Sequence, residues 1–406
     1  MCVMGFGQST DETMSLCEEE ERAAMKAKKV KKPEKKGRKP KSTFLHSGIC
    51  KTCGVPHPWG KDAEIDSDNT SLLPPMRGVF YETEELEHLL GGLEETVGLS
   101  LSNIYITAHK RAVSMFVSNM LQGFTVDMAR RLLSRIVYMR IIQLVNWCGL
   151  GKVSLRSYKK GKWLELGVSD IWSERLFPGD VAGVWTAVEG KDCSVKLRRA
   201  GNSWVCRAEA LLEWEDRFTE RLHPPAGVLM GTKDYPRCPV CGAPDEFKCY
   251  QWDRKKGLIK ERDTGISVAH NTVGCVNTAL FEIREELGKD LLDIVTRMEA
   301  EFIKKRVAEG RYERGRTPGC IGTADRNEVY SHYLDIIKRR CMGNPIEVSF
   351  SNKTLEVTVR NPGNEELLLG RILGTYEAVE GTPGQIDWQV VQGVLEAKVT
   401  PSNVMG

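Results

Sequence analysis

Apolar residues recur at every third or fourth position over 86–97, 104–120 and 126–147, the spacing that gives a helix one apolar stripe. The third stretch, with Met128, Leu132, Ile136, Met139 and Leu144, exceeds a single face and is expected to be buried on more than one side. The rhythm then changes to alternation. Residues 153–158 and 163–168 predict a hairpin, a helix follows through Val181 and Val188, and 194–198 with 204–208 predict a second hairpin.

The same succession returns further on. Short β-prone stretches at 250–253, 257–261 and 265–269, punctuated by Lys-Gly and Thr-Gly turns, predict a small antiparallel appendage. Leu280, Ile283 and Leu287 mark a helix, Leu291 to Ile303 a longer one, and Val329, Tyr333, Ile336 and Ile337 a third. Strands at 346–350 and 355–359 flank Asn352-Lys353, a helix at 367–380 stops at Gly381, and 386–390 with 394–399 close the chain as a hairpin.

This recurrence extends to residue identity. Gly183-Val-Trp-Thr-Ala-Val-Glu-Gly190 returns 191 positions later as Gly374-Thr-Tyr-Glu-Ala-Val-Glu-Gly381, and Cys50-Lys-Thr-Cys53-Gly-Val-Pro56 returns 188 positions later as Cys238-Pro-Val-Cys241-Gly-Ala-Pro244. The expected fold class is α+β: two tandem copies of a helical layer on a four-stranded antiparallel sheet, each preceded by a Cys-x-x-Cys-Gly knuckle. The expected division is an arm over 1–43, one unit over 44–222 and one over 223–406.

Composition narrows the class of protein. With 41% hydrophobic and 28% charged residues in 406, the chain reads as folded and water-soluble, and no apolar run reaches the roughly 20 residues needed to span a bilayer. Its 58 basic and 55 acidic residues leave a net charge of only +3, so any polyanion partner needs a local patch. Residues 26–41 supply one, with ten lysines and arginines after the acidic run Glu18-Glu19-Glu20-Glu21. Such a segment cannot bury enough apolar surface to order itself and reads first as a solvated tail, the alternative being a basic arm that meets an acidic partner or nucleic acid through its phosphates. Thirteen cysteines, mostly single in apolar surroundings, and an N-terminus without a secretory pattern point to a reducing, cytoplasmic setting.

The paired cysteines carry the clearest chemistry. A Cys-x-x-Cys-Gly turn aims backbone amides at its thiolates, and tetrahedral zinc takes four sulfurs at about 2.3 Å. Each turn supplies two ligands. Either Cys50, Cys53, Cys238 and Cys241 share one ion, or each pair is completed locally, with His46 and His57 beside the first and Cys249 or Cys275 after the second. The shared site is favoured, since the second turn has no histidine close by; zinc is expected, with iron as the alternative. Neither pair sits in a βαβ pattern, which argues against a thioredoxin-like dithiol.

Catalytic signatures are missing. There is no phosphate-binding loop, nucleophile elbow or His-Glu-x-x-His helix, so no residue is assigned a catalytic role and enzymatic activity is not expected. The aromatic residues Trp147, Trp185 and Tyr376 are candidates to line an apolar ligand pocket between helices and sheet.

The run strand, turn, strand, then Leu368-Leu-Gly-Arg-Ile-Leu-Gly-Thr-Tyr-Glu-Ala-Val-Glu-Gly381, then a final hairpin, resembles the 4-vinyl reductase or hydrocarbon-binding domain, as does its counterpart around Gly179 and Gly183. The resemblance implies an α+β fold related to subunits of the transport-particle tethering complex, and a role in binding small hydrophobic or aromatic molecules or in sensing. The expected function is therefore non-catalytic binding of a hydrophobic small molecule, or scaffolding of a protein partner, with a structural zinc. Two alternatives are a nucleic-acid-associated regulator using the basic arm and knuckles, and an auxiliary redox component with rubredoxin-like iron.

Overall fold

The structure is a computed structural model that describes residues 48–59, 64–65, 71–73, 76–121, 124–211, 236–288, 290–313 and 325–402. The lysine-rich segment 26–41 and His46 lie outside these residues. The fold is mixed α and β, and three antiparallel sheets carry it.

Two of the sheets are built alike. In the first, β4 (Lys152–Lys159) and β5 (Trp163–Ser169) form one hairpin and β6 (Cys193–Ala200) and β7 (Ser203–Ala210) another, in the order β4-β5-β7-β6. In the second, β11 (Asn344–Ser351), β12 (Thr354–Arg360), β13 (Gly384–Val391) and β14 (Val394–Pro401) take the order β11-β12-β14-β13. The alternation in sequence becomes alternation in space: Leu164, Leu166 and Val168 of β5 are buried while the residues between them are half-exposed.

Helices cover the inner faces. Ahead of the first sheet come α1 (Thr83–Val97), α2 (Ser102–Met120) and α3 (Phe124–Trp147), with α4 (Phe177–Glu189) crossing between its hairpins. Around the second sheet lie α5 (Val273–Leu287), α6 (Leu291–Ala308), α7 (Arg326–Arg339) and the crossing helix α8 (Glu365–Glu380). As the turn chemistry requires, Gly381 ends α8 in the left-handed conformation at φ 68°, its N–H reaching the Glu377 carbonyl.

Glycines set the helix pairing. Gly179 and Gly183 share one face of α4; a Cβ there would stand 2.8 Å from His109 Cβ and 2.6 Å from Val113 Cβ on α2. On α8, a Cβ at Gly370 would meet Glu299 Cβ of α6 at 2.5 Å, and one at Gly374 would overlap the Ala300 carbonyl. The Gly-x-x-x-Gly spacing therefore removes side chains where two backbones touch.

Two expectations change. Helix α3 packs on α4 and β4 through Tyr138, Ile141 and Ile142, but Leu133, Ile136 and Met139 are 50%, 54% and 44% exposed, so its described part, from 133 on, keeps one face open. Its extra apolar residues face outward; the side chains of Met128 and Leu132 lie outside the described residues. The presumed appendage is half of a larger sheet. Strands β8 (Tyr250–Asp253), β9 (Leu258–Glu261) and β10 (Ser267–Thr272) continue into β3 (Met76–Glu82), β2 (Ser71–Leu73) and β1 (Glu64–Ile65), giving the order β1-β2-β3-β10-β9-β8. The early and late parts of the chain thus share one sheet, joined by the β3·β10 ladder in which Phe80 faces His270.

Candidate metal centre and the two helical chambers

Residues 48–56 and 236–244 fold into matching turns. Gly54 N–H donates to the Cys50 carbonyl and Gly242 N–H to the Cys238 carbonyl, both at 2.8 Å; Cys50 N–H reaches the Val55 carbonyl and Cys238 N–H the Ala243 carbonyl. Closing so tightly requires left-handed backbone, which the glycines supply at φ 76° and 75°. Isolated bridges Ile49↔Pro56 and Arg237↔Pro244 hold the stems.

The turns bring all four sulfurs together. Cys50 and Cys238 are 4.0 Å apart, Cys53 and Cys241 3.4 Å, and all four atoms lie within 4.8 Å of one another. A tetrahedron with bonds of about 2.3 Å has edges of about 3.8 Å, so the spacing suits one ion bound by four thiolates. The four cysteines are buried. Backbone amides favour the anionic form on one side of each turn: the N–H groups of Cys53 and Thr52 bring the Cys50 thiol down to about 6 despite burial, and those of Cys241 and Val240 lower Cys238. Burial raises Cys53 and takes Cys241 up to about 12, so two thiols need the positive charge of an ion to deprotonate. Trp59, three residues past the first turn, meets Phe247 and His270, and Phe80 meets both as well, at centroid distances of 4.3 to 6.0 Å. His57 and Cys249 are not in the sulfur cluster; the Cys249 thiol faces Arg339.

Two chambers lie under the helices, and they differ in chemistry. Beside α6, α7 and α8, Arg340 is fully buried and donates to Glu82 (3.0 Å), Glu85 (3.3 Å) and Glu261 (2.8 Å). Arg371 donates to Glu85 at 2.6 Å and stands 3.1 Å from Glu299, while Arg306 holds Glu82 at 2.6 Å and also Glu84. Burial, with the Glu85 charge beside it, holds the Glu299 carboxyl well above the usual range. Arg306, Arg340 and Arg371 thus face the buried carboxyls of Glu82, Glu85, Glu261 and Glu299, the pairing that makes such a network tolerable.

Among the described residues, the chamber between α2, α3, α4 and the β10–α5 junction shows no such network. His109 Nε2 lies 2.9 Å from Asp180 Oδ1, Trp172 Nε1 donates to Asp180 Oδ2 at 3.0 Å, and Thr272 donates to Cys275. Burial raises the Cys148 and Cys275 thiols to about 12, so both are protonated. Both line a cavity of about 70 Å³, walled mainly by Val113, Phe116, Val117, Ile141 and Leu144, with Asp180, His270, Asn271 and Thr272 as polar contributors. A smaller cavity of about 30 Å³ adjoins it through Ile141, Val145, Asp180 and Val184. Asn271 Oδ1 accepts from Thr272 N–H at 2.7 Å, which orients the amide and leaves Nδ2 buried without a partner.

The aromatic candidates lie elsewhere. Trp147, Trp185 and Tyr376 are buried, and none lines either cavity. The Trp147 carbonyl accepts from Trp252, and the Tyr376 hydroxyl donates to the Lys353 carbonyl. His109, Asp180 and Asn271 were not singled out as site residues; an acid within the apolar run Phe177–Glu189 was the one available signal.

Comparison of the chain with protein-family models, curated proteins and solved structures found no match.

Proposed function

We propose that the chain is an internally duplicated, non-catalytic small-molecule-binding protein of the hydrocarbon-binding type, clamped by one structural zinc ion between its two cysteine turns. Three sets of facing groups support the duplication. Phe80 pairs with His270, 190 positions on; Cys50 meets Cys238 and Cys53 meets Cys241, each 188 apart. The hydrogen bonds Phe80 N–H to Arg340 O and His270 N–H to Cys148 O repeat the relation, as a twofold axis through the β3·β10 ladder and the sulfur cluster demands.

The observation that carries the binding reading is what that axis exchanges. Arg340 takes the place of Cys148, Glu85 that of Cys275, Glu299 that of His109 and Arg371 that of Asp180. One chamber is thereby filled with charge and the other left with an apolar cavity. Its ligand is a compact, uncharged, apolar molecule with a hydrogen-bond acceptor for Asn271 Nδ2; Asp180 in the lining disfavours an anion. The zinc, held by Cys50, Cys53, Cys238 and Cys241, supplies charge neutralisation and a crosslink between the two halves.

Native mass spectrometry of protein from its own host, with thermal unfolding in cyclopentanone, tests this reading. A small neutral adduct and a cyclopentanone-dependent rise in Tm, both lost in Val117→Phe, are expected. No adduct and no rise, or a rise unchanged in Val117→Phe, would overturn it.

A further inference from the structure

The outward faces of the two four-stranded sheets carry opposite charge. Residues paired across a ladder share a face, so the register places Lys152, Lys159, Lys196 and Arg207 outward on the first sheet, opposite the buried row Leu164, Leu166 and Val168. Arg198 joins them, and Arg156, at the bulge in β4, lies over Gly167, where the absence of a side chain lets it spread along the surface. Glu165 and Glu209 are the acids of this face, and Arg207 binds both, at 3.4 and 2.7 Å.

The second sheet repeats the topology with the other sign. Glu347, Glu356, Asp387 and Glu396 face outward there, against Arg360 and Lys398. Asp387 stands where the first sheet has Lys196. A shared fold requirement would leave both faces alike, so the basic charge is a property of the first face alone. The first face also carries Trp163, half-exposed, with the Lys159 ammonium 5.2 Å and the Arg207 guanidinium 5.5 Å from its ring centroid.

We propose that the outer face of the β4-β5-β7-β6 sheet binds single-stranded nucleic acid. The cations track the phosphates and Trp163 offers a platform on which a base stacks, the pairing of charge and aromatic surface that sequence-tolerant single-strand binders use. An eight-residue strand at about 3.3 Å per residue gives a track of about 26 Å, room for a few nucleotides. This site is independent of the apolar chamber, which lies on the opposite side of the same sheet.

Fluorescence anisotropy of the full chain with a labelled 20-nucleotide single strand, titrated between 50 and 200 mM salt, tests it. With about four phosphates neutralised, log K falls against log salt with a slope of about −3. Lys196→Glu with Arg198→Glu, both exposed on the edge strand β6, should weaken binding at least tenfold and flatten the slope to about −1.5, whereas Glu356→Gln with Asp387→Asn should leave both unchanged. Trp163→Ala should weaken binding about fivefold or more to the normal strand and leave an abasic strand unaffected. Binding that the β6 double variant does not alter would assign the affinity to the lysine-rich segment 26–41 and overturn the proposal. So would retention by vesicles of anionic lipid with no affinity for the oligonucleotide.

Discussion

His270 makes the stability of the protein depend on pH in a way that one substitution removes. Its ring lies between Trp59 and Phe80, its Nε2 is buried without a partner, and burial depresses its pKa from 6.5 to about 3. Between those values the unfolded chain binds a proton and the folded chain does not, so unfolding is favoured as the pH falls. The contribution is present above pH 6.5 and is lost progressively on acidification, by about 2 kcal/mol between pH 7 and pH 5 and by about 4 kcal/mol between pH 7 and pH 3. Phenylalanine occupies the facing position, 80, and Gly78, where a Cβ would overlap the His270 ring, sets no side chain against an aromatic ring at 270. His270→Phe should therefore match the native chain at pH 7 and exceed it by about 2 kcal/mol at pH 5. Urea unfolding at the two pH values measures the difference, and any loss of metal on acidification affects both proteins. An equal pH dependence in the two would mean that His270 titrates normally in the folded state.

Other elements respond in equally specific ways. Replacing Arg340 by Met takes from Glu261 its ion-pair partner and leaves Glu82 and Glu85 with only Arg306 and Arg371, and should cost about 3–5 kcal/mol in urea unfolding; a cost below about 1 kcal/mol would mean the network is solvated. Gly374→Ala drives a methyl group into the Ala300 backbone and should destabilise by about 3 kcal/mol or more, whereas Gly190→Ala, with open space around it at φ 66°, should cost about 1 kcal/mol. Reversal of that order would refute the close helix crossing. Acid should also act on the Arg340 network: burial raises the Glu261 carboxyl but Arg340 outweighs it, leaving a net lowered pKa. Its stabilisation is therefore present above the normal carboxylate pKa and lost as the pH falls through the lowered value, a component absent from Arg340→Met.

The local elements were legible because their periods were clean. The alternation of Leu355, Val357 and Val359 and the helical stripe of Val329, Tyr333, Ile336 and Ile337 appear within a residue or two of the expected bounds. Gly381 marked the end of α8 for the same reason, since only a left-handed residue closes that turn. What the chain did not reveal was long-range. Pairing of β3 with β10 depends on strands 190 positions apart, and no local period encodes a partner. Helix α3 misled because an apolar residue signals an affinity for burial and not the presence of a neighbour. Trp147, Trp185 and Tyr376 proved to be packed residues away from the cavities, for which an aromatic ring at helical spacing is the ordinary choice. The cavity is lined by Cys148 and Cys275, two cysteines that no local period sets apart as site residues, whereas Arg340 and Glu85 pair in the buried ionic network. The cysteine turns were readable because their spacing is itself the geometry, and the 188-residue offset anticipated which sulfurs meet.

Metal content per chain tests the shared four-thiolate site most directly. Elemental analysis of the purified full chain should give one zinc per polypeptide, with a featureless visible spectrum. Cys50→Ser with Cys53→Ser, and separately Cys238→Ser with Cys241→Ser, should each abolish all of it, because either pair alone supplies only two ligands. Two ions per chain, or half the metal retained after loss of one pair, would show that each turn binds its own ion and would contradict the clamp.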